Sequence, residues 1–221
     1  QLSKEETHLM LMVMDIGNTN IVVGVHDGKE WIAHWRLSSS RSRTSDEFGI
    51  ILGSMFQAGG VDMKAVKDII VSTVVPPLLV PLCNMCKRYF GITPFVVTSN
   101  CNTGLKLDYD HPNEIGADRI VNAVAAHHMY GDKGNLIIID FGTATTFCAL
   151  RPDGEYLGGA IAPGIGISTE ALFQKAAKLP RIELIKPKMA ICHDTIHAMR
   201  SGVINLDDIP QSSLALFGRT H

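Results

Sequence analysis

The sequence predicts an α/β protein of two similar lobes, each opening on an antiparallel hairpin. Two observations carry that expectation. A short acidic turn is used twice, as Asp15-Ile16-Gly17-Asn18-Thr19 and as Asp140-Phe141-Gly142-Thr143-Ala144-Thr145-Thr146, and each copy lies between two apolar runs. Such runs, bounded by a turn, read as buried strands, so each copy is strand, polar turn, strand. Strand-like and helix-like segments then alternate after each hairpin, which adds an α/β layer to it. The first lobe is expected over residues 1–113 and the second over 114–221.

The elements follow in chain order. Leu9–Met14 and Ile21–Val25 flank the first turn, Asp27-Gly28 marks another, and Glu30–Arg36 alternates with Trp31, Ala33 and Trp35 on one face. Ser38–Arg43 is a polar, arginine-bearing loop. Thr44-Ser45-Asp46-Glu47 has the spacing of a capping box before a helix Phe48–Ala58, which Gly59-Gly60 ends. Asp68–Val75 is rich in Ile and Val and stops at Pro76-Pro77, and a helix Leu78–Phe90 ends at Gly91 before a short strand Phe95–Val97.

Leu105–Tyr109 reads as a strand end, and Ile115-Gly116-Ala117-Asp118-Arg119 opens a helix that runs to Tyr130. Leu136–Ile139 and Phe147–Leu150 flank the second turn. After the turn at Asp153-Gly154 comes a glycine-dense stretch, Tyr156–Gly166, and Ser168 is placed to cap a helix Thr169–Lys178 that Pro180 closes. The polar start Gln1–His8 reads as a frayed segment.

Composition narrows the function classes. A chain of 221 residues with 46% hydrophobic content can bury a sizeable core. Its formal net charge of −2 gives no basic footprint for nucleic acid. Leu9–Met14 is too short to span a bilayer, so no membrane partner is expected and the chain reads as cytoplasmic. Five cysteines, an odd number, suit reduced thiols. Cys83-x-x-Cys86 has no second pair at zinc spacing, and His193 and His197 lack the glutamate of a zinc-protease helix. Neither a Walker loop nor a Gly-x-Gly-x-x-Gly loop occurs.

The repeated turn carries legible chemistry. Glycine lets the backbone approach a ligand closely, and successive N–H groups with threonine hydroxyls can donate to phosphate oxygens. Magnesium takes one or two carboxylates besides substrate phosphates, so an aspartate at the mouth of such a hairpin suits a nucleotide and its metal. One Asp-x-Gly alone is an ordinary hairpin turn; two copies would grip a polyphosphate from both sides. Asp118 reads in two ways, as a cap of its helix or as a general base for an alcohol, with Arg119 holding an anionic group.

These motifs, taken in order, resemble a known family. Asp15-x-Gly-Asn-Thr19, Thr44-x-Asp46-Glu47, Tyr109, Gly116-Ala117-Asp118-Arg119, Asp140-x-Gly-Thr-Ala-Thr145, Gly158-Gly159, Pro163-Gly164 and Ala176-Ala177-x-Leu179-Pro180 are similar to the type III pantothenate kinases, members of the acetate and sugar kinase, heat-shock chaperone and actin superfamily. The resemblance implies two ribonuclease H-like lobes, the actin-like ATPase fold, around a nucleotide cleft. It implies transfer of a phosphoryl group from ATP to pantothenate, giving 4′-phosphopantothenate at the entry to coenzyme A synthesis, with Mg2+, a monovalent cation (K+ or NH4+) and a homodimer.

Carried over by motif, Asp15, Ile16, Gly17, Asn18, Thr19, Asn20, Ile21 and Val22 would form the first phosphate loop and Thr143 the second. Asp15 would serve magnesium and Asp140 the monovalent cation. Tyr109, Gly116, Ala117, Asp118, Arg119 and Thr195 would meet pantothenate, with Asp118 as the proton acceptor. Two departures stand out. Asp194-Thr195 replaces the family's Asn-Thr, and Ser201-Gly202 is followed by Val203-Ile204-Asn205-Leu206-Asp207-Asp208 without the expected glycine, so the C-terminal end reads as truncated or altered. Ser212–His221 carries no family feature. Two alternatives remain: a noncatalytic transcriptional accessory regulator of the same family, and a kinase for another small alcohol.

Overall fold

Seven elements in chain order build the first half. They are β1 (Met10–Ile16), β2 (Asn20–His26), β3 (Trp31–Ser38), α1 (Ser45–Ala58), β4 (Val66–Thr73), α2 (Pro76–Met85) and β5 (Phe95–Val96) in a computed structural model that describes residues 10–204 and the backbone of 214–216. The polar start Gln1–His8, the altered stretch Asn205–Asp208, and Ser212, Ser213 and 217–221 lie outside the described residues.

The strands form one sheet in the order β3-β2-β1-β4-β5. β1, β2 and β3 are antiparallel neighbours, whereas β4 runs parallel to β1 and β5 parallel to β4. Alternation along β1 turns Met12, Met14 and Ile16 to the core, where they lie in register with Val25, Val23 and Ile21 of β2 and, for the first two, with Ile69 and Val71 of β4. Phe48, Leu52 and Phe56 repeat at one-turn spacing along α1, and Leu78, Leu82 and Met85 along α2, giving each helix a buried stripe in the same core.

The capping box forms as expected. Thr44 N–H donates to Glu47 Oε2 at 2.7 Å and Glu47 N–H to Thr44 Oγ1 at 3.3 Å. The proline pair differs from its reading as a strand stop. β4 ends at Thr73, and Pro76 and Pro77 are the first residues of α2, where their missing N–H groups have no helical partner to lose. The expected helix to Phe90 closes as a π-helical turn, Cys86–Phe90, followed by Gly91 at φ 71°.

The second sheet contains β6 (Lys106–Leu107), β7 (Leu136–Phe141), β8 (Ala144–Leu150), β9 (Glu155–Pro163) and β10 (Leu214–Leu216) in the order β10-β7-β8-β9-β6. β7, β8 and β9 are antiparallel neighbours and β10 runs parallel to β7. The run β9-β8-β7-β10 therefore repeats β3-β2-β1-β4, the ribonuclease H-like arrangement occurring twice in one chain, which is the fold class of the actin-like ATPases. β10 falls in the stretch that carries no family motif, yet its backbone fills the fourth strand position. β6 has no counterpart in the first sheet; it joins the outer edge parallel to β9.

Three helices complete the described chain: α3 (Ala117–Tyr130), α4 (Ile165–Lys175) and α5 (Thr195–Ile204). α3 starts at Ala117, not at Ile115, because the Gly116 carbonyl is its first acceptor, taking the N–H groups of Arg119 and Ile120. α4 also corrects the sequence reading. It begins four residues before the expected Thr169 and is capped at Gly164, so Ser168 lies inside its first turn, and it ends at Lys175.

The chain separates into two compact units, Gln1–Cys101 with Asn113–Val121, and Asn102–Pro112 with Asn122–His221. The boundary expected after residue 113 falls beside the middle one of three crossings. α3 belongs to both units, with Asp118 and Arg119 on the side of the first and Asn122 on the side of the second.

Candidate functional site

The first acidic turn is a tight hairpin end. Ile16 pairs with Ile21, and Gly17 N–H donates to Asn20 O at 3.0 Å, which leaves Asn18 and Thr19 exposed at the tip. Asp15 is half-buried, one residue before the last core side chain of β1. Ser72 of β4 is in register with Asp15, is 5% exposed, and its Oγ has no hydrogen-bond partner among the described residues. A carboxylate beside an orphaned hydroxyl is an all-oxygen donor set, the chemistry magnesium prefers.

The first turn of α3 stands at the same end of this sheet. Val74 N–H donates to Ile16 O at 3.1 Å, and a Cβ placed on Gly116 would lie 3.3 Å from Val74 Cγ1. That imagined Cβ would also lie 2.5 Å from Asp118 Oδ1, so glycine at 116 is what lets the Asp118 carboxylate fold back. There it accepts the Arg119 N–H at 2.7 Å through Oδ1. Arg119 is 6% exposed. The cap and base readings of Asp118 are thus compatible, because the cap occupies one oxygen.

The second turn is built differently from the first. Asp15 faces Val22 whereas Asp140 faces Thr146, so the second hairpin is one residue shorter. Gly142 N–H donates to Ala144 O at 3.0 Å, and Thr143 is exposed at the tip. Gly164, the cap of α4, donates its N–H to Thr143 O at 3.1 Å, and a Cβ on it would stand 2.4 Å from the carbonyl oxygens of Gly142 and Thr143. The α4 N-terminus is therefore packed directly against the second turn.

Asp140 accepts Asn122 Nδ2 at 3.2 Å through Oδ2. One acid per hairpin fits a cation that takes most of its ligands from phosphates, water or carbonyls. Among the described residues no group of three or more His, Cys, Asp and Glu could hold a metal ion. Cys86 is buried with its thiol pushed up to about 12, first by that burial, so it is an inert thiol.

Tyr109, just beyond β6, is also in the second unit. Asp108 N–H donates to Tyr156 O at 3.1 Å, tying this strand end to β9. Gly158, at φ 100°, passes under the Tyr109 ring: a Cβ there would meet Cε2 at 3.4 Å. Thr195 is exposed as the first residue of α5. Before it, Asp194 accepts His197 N–H at 2.9 Å and pairs with His197 Nδ1 at 2.7 Å, and that backbone donor, then the ring, hold its carboxyl below the usual carboxylate range. Aspartate in place of the family's asparagine therefore still caps the helix.

The structure brings the first hairpin and Gly116–Arg119 together in one unit, and collects Tyr109, Asp140, Thr143 and Thr195 in the other. Sequence reasoning passed over Asn122, Ser72 and Ser39. Asn122 had a readable signal, since it lies four residues after Asp118 and hence on the same helix face. Ser72 and Ser39 had none, because their meaning depends on strand register.

Comparison with known proteins matches the sequence to one family. The sequence profile described as type III pantothenate kinase covers residues 11–206. A type III pantothenate kinase from Geobacillus kaustophilus is 51% identical over 195 residues, 88% of this chain and 75% of its own. One from Exiguobacterium sibiricum is 51% identical over 193 residues, 87% of this chain and 76% of its own. Among solved structures, a conserved protein from Campylobacter jejuni named for the Baf family of transcriptional activators aligns with a TM-score of 0.50 at 20% identity, over 87% of this chain and 73% of its own, a likeness of fold alone. No described helix is long and apolar enough to cross a membrane. The chain belongs to the type III pantothenate kinase family.

Proposed function

We propose that the chain transfers the γ-phosphoryl group of ATP to the primary hydroxyl of pantothenate, giving 4′-phosphopantothenate, the first step of coenzyme A biosynthesis. The observation that carries this is the family match, which spans both acidic hairpins and the first turn of α3. In such transfers positioning and charge neutralisation dominate. The hairpin Asp15–Val22 holds phosphate oxygens through its exposed tip, and the second hairpin does so through Thr143. Asp118 accepts the hydroxyl proton on Oδ2, with Oδ1 held by the Arg119 N–H. Tyr109, Gly116, Ala117, Arg119 and Thr195 orient pantothenate, Arg119 holding an anionic group.

Asp15 is assigned to magnesium and Asp140, steadied by Asn122, to a monovalent cation, potassium or ammonium. Bound there, the two cations supply neutralisation of the phosphate charge. A cytoplasmic homodimer completes the proposal. Leu157 and Ile161 on β9 and Ile167 and Phe173 on α4, all exposed, supply apolar surface for a second copy. The noncatalytic regulator gains nothing from the Campylobacter jejuni likeness, which extends to fold only.

The test is ATP consumption with and without pantothenate and potassium, with the product mass read out. Pantothenate-dependent ATP use and a product heavier by one phosphoryl group are expected. Its absence at every cation concentration overturns the proposal.

A further inference from the structure

Beyond the hairpin itself, one residue of β3's exit reaches the first phosphate loop twice. Ser39 N–H donates to Thr19 O at 2.9 Å, and Ser39 Oγ donates to Gly17 O at 2.5 Å. The two bonds differ in kind. The first continues the ladder in which Asn20 pairs with Ser38, and any residue at position 39 other than proline could make it. The second needs a hydroxyl.

What that hydroxyl controls follows from peptide geometry. The Gly17 C=O and the Asn18 N–H belong to one planar trans group and point in opposite directions. Holding the carbonyl toward Ser39 therefore turns the Asn18 N–H away from it, at the exposed tip of the loop. Glycine at 17 has no side chain to brace this peptide plane, so an outside contact decides its orientation. Ser39 is itself anchored on its far side. Arg43 Nη1 donates to Ser38 O at 3.2 Å, the Arg43 guanidinium lies 5.4 Å from the Phe48 ring centre, and Thr44 caps α1. The segment cannot drift without disturbing the helix.

We infer that Ser39 is a positioning residue for ATP: its hydroxyl sets the direction in which the first loop presents the Asn18 amide to a phosphate. This rests on the reading of Asp15–Val22 as a phosphate loop. Ser39 touches no reacting atom, and the inference predicts an effect on nucleotide and none on pantothenate.

The experiment compares Ser39→Ala, Ser39→Thr and Thr19→Ala with the unsubstituted chain. ATP affinity is measured by calorimetry with magnesium, and KM values for ATP and pantothenate are measured separately. Ser39→Ala keeps the backbone bond and loses the hydroxyl, so ATP binding and its KM are expected to weaken about fivefold, the usual worth of one hydrogen bond. The pantothenate KM stays unchanged, and Ser39→Thr, which retains the hydroxyl, restores the ATP values. If Thr19→Ala weakens ATP binding and Ser39→Ala does not, the Ser39 inference alone is overturned. An equal rise in both KM values, or failure of Ser39→Thr to rescue, marks a merely structural serine and overturns it as well. If neither Thr19→Ala nor Ser39→Ala alters ATP binding, or the unsubstituted chain binds no ATP, the phosphate-loop reading falls and takes the inference with it.

Discussion

Asn122 Nδ2 donates to Asp140 Oδ2 across 3.2 Å, from the helix that carries Asp118 four positions earlier. The amide steadies one carboxylate oxygen of the proposed cation ligand without adding a charge of its own. Asn122→Ala is expected to raise the potassium concentration needed for half-maximal activity by about ten- to a hundredfold, the worth of one hydrogen bond to a charged group. Saturating potassium should restore most of the rate. The check is a potassium titration of pantothenate-dependent ATP consumption.

Asp118→Asn preserves shape and can still accept the Arg119 N–H, but it removes the proposed proton acceptor. Calorimetry should find ATP and pantothenate binding close to that of the unsubstituted chain, while kcat falls by about 10²–10⁴-fold, the usual contribution of a general base. Near-normal turnover would return Asp118 to the status of a helix cap.

Two glycine substitutions should fail in opposite ways. At Gly116 the new Cβ meets Asp118 Oδ1 at 2.5 Å, the free end of a side chain that can swing aside. Gly116→Ala should therefore fold with a stability loss of about 1 kcal/mol for the lost cap, yet lose at least about tenfold in kcat because the carboxylate is misplaced. At Gly164 the new Cβ meets the carbonyl oxygens of Gly142 and Thr143 at 2.4 Å, and backbone cannot step aside cheaply. Gly164→Ala should cost about 1–3 kcal/mol in stability and weaken ATP binding through the second hairpin. Denaturant melts and ATP calorimetry on both variants separate the two patterns.

What could be read from the chain beforehand divides along physical lines. Thr44 and Glu47 announced a capping box because its donors and acceptors are local in sequence, and the two Asp-x-Gly turns announced hairpins for the same reason. The start of α4 was misread because Ser168 is a good cap by type, whereas the actual cap, Gly164, is selected by a close approach to another segment's backbone. The one-residue difference between the hairpins was hidden by their shared Asp-x-Gly, since register is decided by the partner strand. Asp118 was legible as a candidate, but Gly116's part in folding its carboxylate back required coordinates.

The acid side of the stability profile follows from five carboxylates, one of them Glu170, whose carboxyl is held low first by the Gln174 amide and then by Arg181. The Asp46 carboxyl is held low chiefly by Arg88 Nη1 at 2.5 Å, then by Tyr89 Oη at 3.0 Å; Glu47 is held low by the Thr44 backbone N–H, Asp153 by Lys106 and Asp194 by the His197 N–H. Each folded pKa lies below its unfolded value, so each contribution is fully present above the unfolded range, about 3.9–4.3, and is lost as pH falls through the folded value. The Tyr89 hydroxyl is shifted upward, first by its bond to Asp46, so its contribution holds below about 10, the unfolded tyrosine value, and is lost only as pH rises through the folded value. Between about pH 5 and 9 these groups leave stability flat. Asp46→Asn removes one titrating partner and weakens the tie from α1 to Arg88 and Tyr89. Its melting temperature should fall below that of the unsubstituted chain at pH 7, and the gap should shrink as pH drops below about 4, where the carboxyl of the unfolded chain takes up its proton, and close as pH falls through the lower folded value. Thermal melts of both proteins from pH 3 to pH 8 provide the measurement, and a gap that stays constant to pH 3 would mean that the carboxylate charge contributes nothing to the tie.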